Sequence, residues 1–162
     1  MSSFYSFGTD PGWSEVIAPL LAGPDAPPDD DLLRGVAACL KAWPWGRRPS
    51  WVTWVPSRSR PLLVRGLAER LAEVGKMELV EAVTRVRPDA PAQDRMENSA
   101  TQASNVLGAF SFGRPDGAPL PVDPGLVVDD TLRSGWTMTI VAEGLRGAGS
   151  GLVLPFVLWK RP

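Results

Sequence analysis

The sequence predicts an α/β fold in which a mainly parallel sheet is flanked by helices. Short apolar runs rich in β-branched and aromatic residues alternate with stretches whose apolar residues recur at helical spacing. This alternation is typical of parallel strands joined by crossover helices. A chain of 162 residues is long enough for one substantial core. We therefore expect residues 1–28 to form an N-terminal helical segment and linker, and residues 29–162 to form the main domain.

The expected elements follow from apolar spacing and from the residues that begin and end helices. Helices are expected where apolar residues recur every three or four positions behind an aspartate or a proline. Strands are expected where several apolar, β-branched or aromatic residues lie together, and glycine and proline clusters mark the connections. In the first third of the chain we predict a helix within residues 4–23, a linker at 23–28, and a helix that begins at 29–31 and ends before 44–49. A strand at 51–55, a helix at 61–74 stopped by Gly75, and a strand or the start of a helix at 77–80 are expected to follow. After a polar loop at 88–101, we predict a strand at 126–130, a helix at 136–146 and a strand at 152–159.

The composition excludes several kinds of active site. The chain has no histidine and one cysteine, Cys39, so it has no histidine-dependent triad, no histidine metal site, no cysteine zinc site and no intramolecular disulfide. No apolar run approaches the length of a membrane span, and the N-terminus lacks the features of a signal peptide. We therefore expect a cytoplasmic protein that does not enter a membrane.

The basic residues are concentrated after the first 31 positions. Those positions contain six acidic residues and no lysine or arginine, so the rest of the chain carries five more basic than acidic residues. This excess permits binding to phosphates or DNA, and a mutational bias toward arginine explains it equally well. Trp43 and Trp45, beside Arg47 and Arg48, are the best candidates for stacking on single-stranded bases, although core packing is the commoner fate of tryptophan.

The most informative segment is LVVDDTLRSGWT at 126–137, in which an apolar run is followed by two carboxylates and then by a small turn that opens a helix. A helix N-terminus exposes unpaired backbone N–H groups and a partial positive charge, which suit a phosphate. Gly135 lets a ligand approach the backbone closely, and Ser134 and Thr137 add hydroxyl donors.

The carboxylates of this segment are Asp129 and Asp130. They can accept hydrogen bonds from ribose hydroxyls, or hold Mg²⁺ through water. The alternative is that they merely cap the helix that follows. The apolar run before them and the Ser-Gly turn after them favour a site for a sugar phosphate at the carboxyl end of a parallel strand.

A second loop has similar chemistry. Ser57, Arg58, Ser59 and Arg60 join the strand at 51–55 to the helix that begins at Pro61. Hydroxyls and cations again lie at the carboxyl end of a strand, beside a helix N-terminus. The alternative is a solvated basic turn, but two phosphate-suited loops in this order favour a binding function.

The two loops resemble those of type I phosphoribosyltransferases, which bind phosphoribosyl pyrophosphate. The resemblance implies that residues 29–162 form a phosphoribosyltransferase-like domain, that the acidic pair contacts ribose, and that Mg²⁺ accompanies the ligand. Gly125, Thr131 and Arg133 depart from the family pattern, which has an apolar, an aliphatic and a small residue there. The residues implied at the ribose and phosphate are Asp129, Asp130, Thr131, Arg133, Ser134, Gly135, Trp136 and Thr137, and those implied at the pyrophosphate are Ser57, Arg58, Ser59 and Arg60.

Four segments of the chain together are similar to the C-terminal region of some bacterial RecQ-type DNA helicases. They are residues 10–43, 54–76, 98–110 and 127–158. The pattern at 105–110 also resembles the ComF competence proteins. This resemblance implies an accessory helicase domain, associated with the nucleoid, that binds DNA, a phosphorylated ribose, or both. The chain has no Walker A sequence, so it does not hydrolyse ATP by that mechanism.

Three functions therefore remain open. The first, which we favour, is a binding module of the kind just described. The second is an active Mg²⁺-dependent phosphoribosyltransferase with an unknown acceptor, in which the polar segment 95–102 is either a catalytic lid or a surface loop. The third is a structural domain that has lost its pocket and forms a homodimer.

Overall fold

A computed structural model describes residues 5–6, 11–86, 108–132 and 134–160. The predicted polar loop at 88–101 and the lid segment at 95–102 lie outside these residues. The elements in chain order are β1 (Tyr5–Ser6), α1 (Pro11–Ala22), α2 (Asp30–Ala42), β2 (Trp51–Trp54), α3 (Pro61–Gly75), β3 (Glu78–Leu79), β4 (Val83–Arg85), β5 (Phe110–Phe112), β6 (Gly125–Leu132), α4 (Trp136–Gly147) and β7 (Val153–Lys160).

Five of the strands form one parallel sheet in the order β1-β7-β6-β2-β3. The predicted mainly parallel sheet with flanking helices is therefore confirmed. Strands β4 and β5 form a separate antiparallel pair. Strand β1 was not predicted, because residues 4–23 were expected to contain only a helix; its two residues pair with Phe156 and Val157 at the edge of the sheet. Of the helices that the structure describes, none is both long and apolar enough to cross a membrane.

Both faces of the sheet are buried, which explains the uninterrupted apolar runs of its central strands. Side chains of one strand alternate between the faces, so neighbours along β2 and β6 contribute to two different cores. The core on the side of α2 and α3 contains Val52, Trp54, Leu126, Val128 and Phe156 among others. The core on the side of α4 contains Trp51, Val127, Met138, Val141 and Val157 among others.

The helix ends follow local rules with one difference. Asp29 caps α2 as predicted, because its Oδ1 accepts a hydrogen bond from the N–H of Leu32 at 2.7 Å. Pro61 occupies the first turn of α3, where its missing N–H is not needed. Gly75 is the last residue of α3 rather than its left-handed cap. That conformation falls on Lys76, whose φ is 52°.

The unusual Gly125 at the start of β6 has a packing explanation. Trp51 is fully buried on the neighbouring strand, and its indole N–H donates to the carbonyl oxygen of Asp123 at 2.8 Å. This hydrogen bond fixes the ring against the backbone of β6, where a methyl group on residue 125 would overlap it. The glycine therefore makes room for the largest buried side chain of the sheet.

We expect Gly125→Ala to destabilise the protein by about 2 kcal/mol or more, because overpacking forces strand and ring apart. Gly147→Ala is the control, since nothing lies within 4 Å of a methyl group there. Alanine at this helical position should be neutral or stabilising by up to about 1 kcal/mol. Urea unfolding of both variants measures the difference. Equal stability of the two would contradict the packing explanation.

Candidate functional site

The candidate site lies between the carboxyl ends of β2 and β6. The chain leaves β2 through α3 toward β3 on one side, and leaves β6 through α4 toward β7 on the other. Neighbouring parallel strands whose connections diverge in this way leave a crevice between them, which is where open α/β sheets bind ligands. Both loops predicted to bind phosphate, after β2 and after β6, follow the two strands that flank this crevice.

Strand β6 extends beyond its neighbour β2. The two strands pair from Gly125 to Val128, and the last bond between them runs from the N–H of Val55 to the carbonyl of Val128 at 2.9 Å. Beyond this point β6 pairs with β7 alone, as far as Leu132. The predicted strand ended at Asp130, so the acidic pair lies within the strand and not at its tip. The backbone that carries the two carboxylates is therefore held rigidly by β7.

Asp129 and Asp130 are both half-buried. Along β6, the position of Asp129 is on the same face of the sheet as Val127, which is the α4 side. The position of Asp130 is on the same face as Val128, which is the α3 side. Burial raises the pKa of Asp129 well above its ordinary value, and repulsion from Asp130 raises it further. Burial also raises the pKa of Asp130, whereas the positive charge of Arg60 acts to lower it. Within the pair, the N–H of Asp130 donates to Oδ1 of Asp129 at 2.8 Å.

Arg85 completes the site and was not predicted from the sequence. It ends β4, and its Nη2 donates to the carbonyl oxygen of Pro56 at 2.7 Å, in the loop after β2. Its guanidinium lies 4.9 Å from the ring centre of Phe110. Burial lowers the pKa of Arg85 and the charge of Arg58 lowers it further, whereas Asp129 opposes both effects. Arg85 is therefore a cation whose charge interacts with that of Asp129.

The turn after β6 presents an open helix N-terminus. Gly135 is the N-cap of α4 in the left-handed conformation, with φ 81° and ψ −8°, and no side chain caps the helix within the described residues. The idea that the two aspartates cap this helix is therefore wrong. Ser134 is exposed, and its Oγ accepts only a long bond of 3.4 Å from the N–H of Trp136. The amides of Thr137 and Met138, in the same turn, have no acceptor among the described residues and are left for a ligand.

The other predicted residues of this segment surround the turn. Trp136 and Thr137 are half-buried in the first turn of α4. Thr131 is half-buried in β6, where it pairs with Trp159. Arg133 lies outside the residues that the structure describes. The segment therefore brings carboxylates, a hydroxyl and open amides to one side of the crevice.

The loop after β2 follows a strand that flanks the crevice, and two of its predicted residues, Ser57 and Arg60, are engaged within the protein. Ser57 Oγ accepts from the N–H of Arg60 at 3.0 Å. The guanidinium of Arg60 donates to the carbonyl oxygens of Leu20 and Gly23 at the end of α1, both at 3.2 Å. Arg58 and Ser59 are exposed.

The N-terminus of α3, which the sequence suggested as an anion site, is already capped. The N–H groups of Leu62 and Leu63 donate to the two carboxylate oxygens of Asp25, at 2.9 and 3.1 Å. Asp25 belongs to the segment that was predicted to be a linker. The two phosphate-suited loops therefore differ: α4 begins with open amides, and α3 begins with amides that an internal carboxylate occupies.

The acidic pair has the chemistry of a magnesium site. Carboxylate oxygens are the hard donors that Mg²⁺ prefers, and the ion is usually held by one or two carboxylates with its other positions taken by water or ligand. Nearby positive charge would also relieve the repulsion between Asp129 and Asp130. The described residues contain no group of three or more acidic or cysteine side chains placed to hold a metal, so ligand or water must complete the coordination.

The aromatic segment proposed for base stacking lies at the other end of the sheet. Trp43 is 37% exposed, whereas the indole N–H of Trp45 donates to the carbonyl of Leu40 at 2.7 Å. Arg47 pairs with Asp123 at 3.1 Å. Trp45 also borders a cavity of about 280 Å³ between α2, α3 and the amino ends of the strands. This region is separate from the crevice, and DNA binding here stays a prediction.

Comparison with known proteins identifies the fold. No protein-family model and no curated protein sequence matches the chain. Among solved structures, an adenine phosphoribosyltransferase matches over 82% of this chain and 72% of its own, with a TM-score of 0.52 and 13% identity. The adenine phosphoribosyltransferase of Thermoanaerobacter pseudethanolicus matches over 80% and 77%, with a TM-score of 0.49 and 16% identity.

UMP synthase of Leishmania donovani matches over 80% of this chain but only 21% of its own, with a TM-score of 0.46 and 19% identity. At these identities the likeness concerns the fold alone. The chain therefore has a phosphoribosyltransferase-like fold, in which the candidate site occupies the crevice between β2 and β6.

Proposed function

We propose that this domain binds a phosphorylated ribose, as part of a nucleotide or of phosphoribosyl pyrophosphate. The observation that carries the proposal is the uncapped N-terminus of α4, which begins a few residues after a half-buried pair of carboxylates at the crevice between β2 and β6. One feature suits a phosphate and the other suits ribose hydroxyls. The two features follow one another along the chain, at the carboxyl end of one strand.

The phosphate would lie against the first turn of α4. Its oxygens would accept hydrogen bonds from the open backbone amides and from the hydroxyls of Ser134 and Thr137. The positive end of the helix dipole favours a dianion there. Gly135 has no Cβ to keep the phosphate away from the backbone, and its positive φ turns the chain into the helix.

The ribose would lie over Asp129 and Asp130. In the free protein, burial raises the pKa of each carboxyl, and the charge of Asp130 raises the pKa of Asp129 further. Two ribose hydroxyls would donate to them and replace part of the lost hydration. Mg²⁺, held through water by the same two residues, would supply positive charge between carboxylates and ligand. The positive charge of Arg85 partly offsets the negative charge of Asp129.

The second candidate function is transfer of the phosphoribosyl group to an unknown acceptor. A specific observation favours it: Asp129 is a carboxyl with a strongly raised pKa in a crevice, which is a common property of catalytic acids and bases. Incubation with phosphoribosyl pyrophosphate, Mg²⁺ and a panel of bases and amines would test it. Pyrophosphate release that disappears in Asp129→Asn would establish an enzyme.

The wider context stays a prediction. The proposed place of this domain in a RecQ-type helicase, its contact with DNA and a homodimer all derive from the resemblance in sequence. Titration of the chain with single- and double-stranded DNA at several salt concentrations tests the DNA part, because phosphate contacts make the affinity fall with salt.

We expect Thr137→Val to weaken the binding of ribose 5-phosphate about tenfold, because a hydrogen bond to a charged group contributes about 1.5–3 kcal/mol. Thr139→Val is the matched control, since Thr139 is exposed on the same helix. Isothermal titration calorimetry with Mg²⁺ present measures both. Failure of the natural chain to bind both ribose 5-phosphate and phosphoribosyl pyrophosphate would refute the proposed function. If the two variants lost the same affinity for ribose 5-phosphate, the phosphate site would not be the first turn of α4.

The raised pKa of Asp129 predicts a dependence of stability on pH. In the unfolded chain this carboxyl loses its proton near pH 4 (about 3.9), whereas the folded protein retains it to higher pH because of burial. The contribution of Asp129 to stability is therefore complete below about pH 4 and is lost as the pH rises through the folded pKa.

Asp129→Asn removes the charge, so it should raise the melting temperature at pH 8 and leave it nearly unchanged at pH 4. The expected increase is about 2–4 °C for each kcal/mol regained, where one pKa unit corresponds to about 1.4 kcal/mol. Glu143→Gln, at an exposed position of α4, is the control. A stabilisation that is the same at both pH values would show that burial of the charge is not its cause.

A further inference from the structure

We propose that the ligand of this crevice carries a single phosphate, on the 5′ position of its ribose, because Asp25 fills the position of a second anionic group. The inference rests on the proposed function and narrows its ligand class to ribose 5-phosphates and nucleoside 5′-monophosphates. A pyrophosphate on the sugar would then contribute nothing to binding.

The crevice has two sides, and a helix begins at each of them. A ribose over Asp129 and Asp130 has α4 on one side and the loop from Pro56 to Arg60 on the other. A second anionic group, on the far side of the sugar from the phosphate, would extend toward this loop and the first turn of α3. The backbone donors at the start of α3 are the amides of Leu62 and Leu63.

Asp25 uses those donors in the way that a bound anion would. Its two carboxylate oxygens accept from Leu62 and Leu63, at 2.9 and 3.1 Å, so one internal charge satisfies two neighbouring amides. A second anion arriving from solvent would meet both occupied donors and a like charge. The start of α4 differs, because its N-cap is Gly135, which has no side chain, and the only side-chain bond to its first turn within the described residues is the long one from Trp136 to Ser134.

The segment that carries Asp25 is fixed in place by other contacts. The guanidinium of Arg60 holds the carbonyl oxygens of Leu20 and Gly23, each at 3.2 Å. On the other side of Asp25, Pro28 packs so closely on Gly66 of α3 that a methyl group on the glycine would overlap the proline ring. Displacing Asp25 would therefore break two hydrogen bonds directly and strain a segment that is anchored at both ends.

Arg60 is engaged by the same arrangement. It is one of the two arginines in the loop after β2, and its guanidinium donors are directed at α1. The charge of Arg60 still acts on Asp130, where it opposes the rise in pKa that burial causes. Arg60 thus serves as a positioning residue for the segment around Asp25, and the chain itself takes up the donors of Arg60 and of the start of α3.

The test compares ligands that differ only in the second anionic group. Calorimetry on the full chain with Mg²⁺ is expected to give ribose 5-phosphate and phosphoribosyl pyrophosphate the same affinity within about threefold. Asp25→Ala should raise the affinity for phosphoribosyl pyrophosphate at least tenfold and leave that for ribose 5-phosphate unchanged. Asp29→Ala is the matched control, because it removes a helix cap of the same kind at α2.

Each of the other possible outcomes contradicts a specific claim. Phosphoribosyl pyrophosphate that binds the natural chain tenfold or more tightly than ribose 5-phosphate refutes this inference and leaves the proposed function standing. No binding of either ligand refutes both. Equal affinities that Asp25→Ala does not change would show that Asp25 is not the blocking group. If Asp25→Ala does not fold, the comparison of the two ligands on the natural chain still decides the inference.

Discussion

The site depends on one constraint: β6 continues past the end of β2 while β7 still holds it. Because β7 pairs with β6 as far as Leu132, the backbone of Asp129 and Asp130 stays rigid where the crevice opens. The same constraint keeps both carboxylates half-buried, which raises the pKa of each and makes them repel. It also brings the start of α4 within a few residues of them. A flexible loop in this place would let the carboxylates turn into water, and the positions of sugar and phosphate would be lost.

The local part of this arrangement was predictable from the sequence. An apolar run, two acids, a glycine turn and a helical repeat are read correctly because each depends on neighbours in the chain. The burial of Trp51 against Gly125 is also consistent with a glycine in place of an apolar residue, although only the structure explains it. The length of β6 was underestimated, since acidic residues are poor strand formers and only pairing with β7 keeps them extended.

The contacts that the sequence did not reveal join residues that are distant along the chain. Arg85 reaches the carbonyl of Pro56, which lies 29 positions away, and a cation in a three-residue strand gives no pattern to recognise. Asp25 reaches α3 across 37 positions, from a segment whose prolines indicated only a linker. Arg85 partly offsets the charge of Asp129, and Asp25 occupies the start of α3 that the sequence suggested as an anion site.

The most direct test of the account is the response of individual backbone amides to ligand. In ¹H–¹⁵N correlation spectra of the labelled chain with Mg²⁺, addition of ribose 5-phosphate should shift the amide signals of Gly135, Trp136, Thr137 and Met138 in a saturable manner. The amides of Leu62 and Leu63, which Asp25 already occupies, should move little. Saturable shifts that avoid the first turn of α4, or that are largest at α3, would contradict the claim that the start of α4 is the phosphate site.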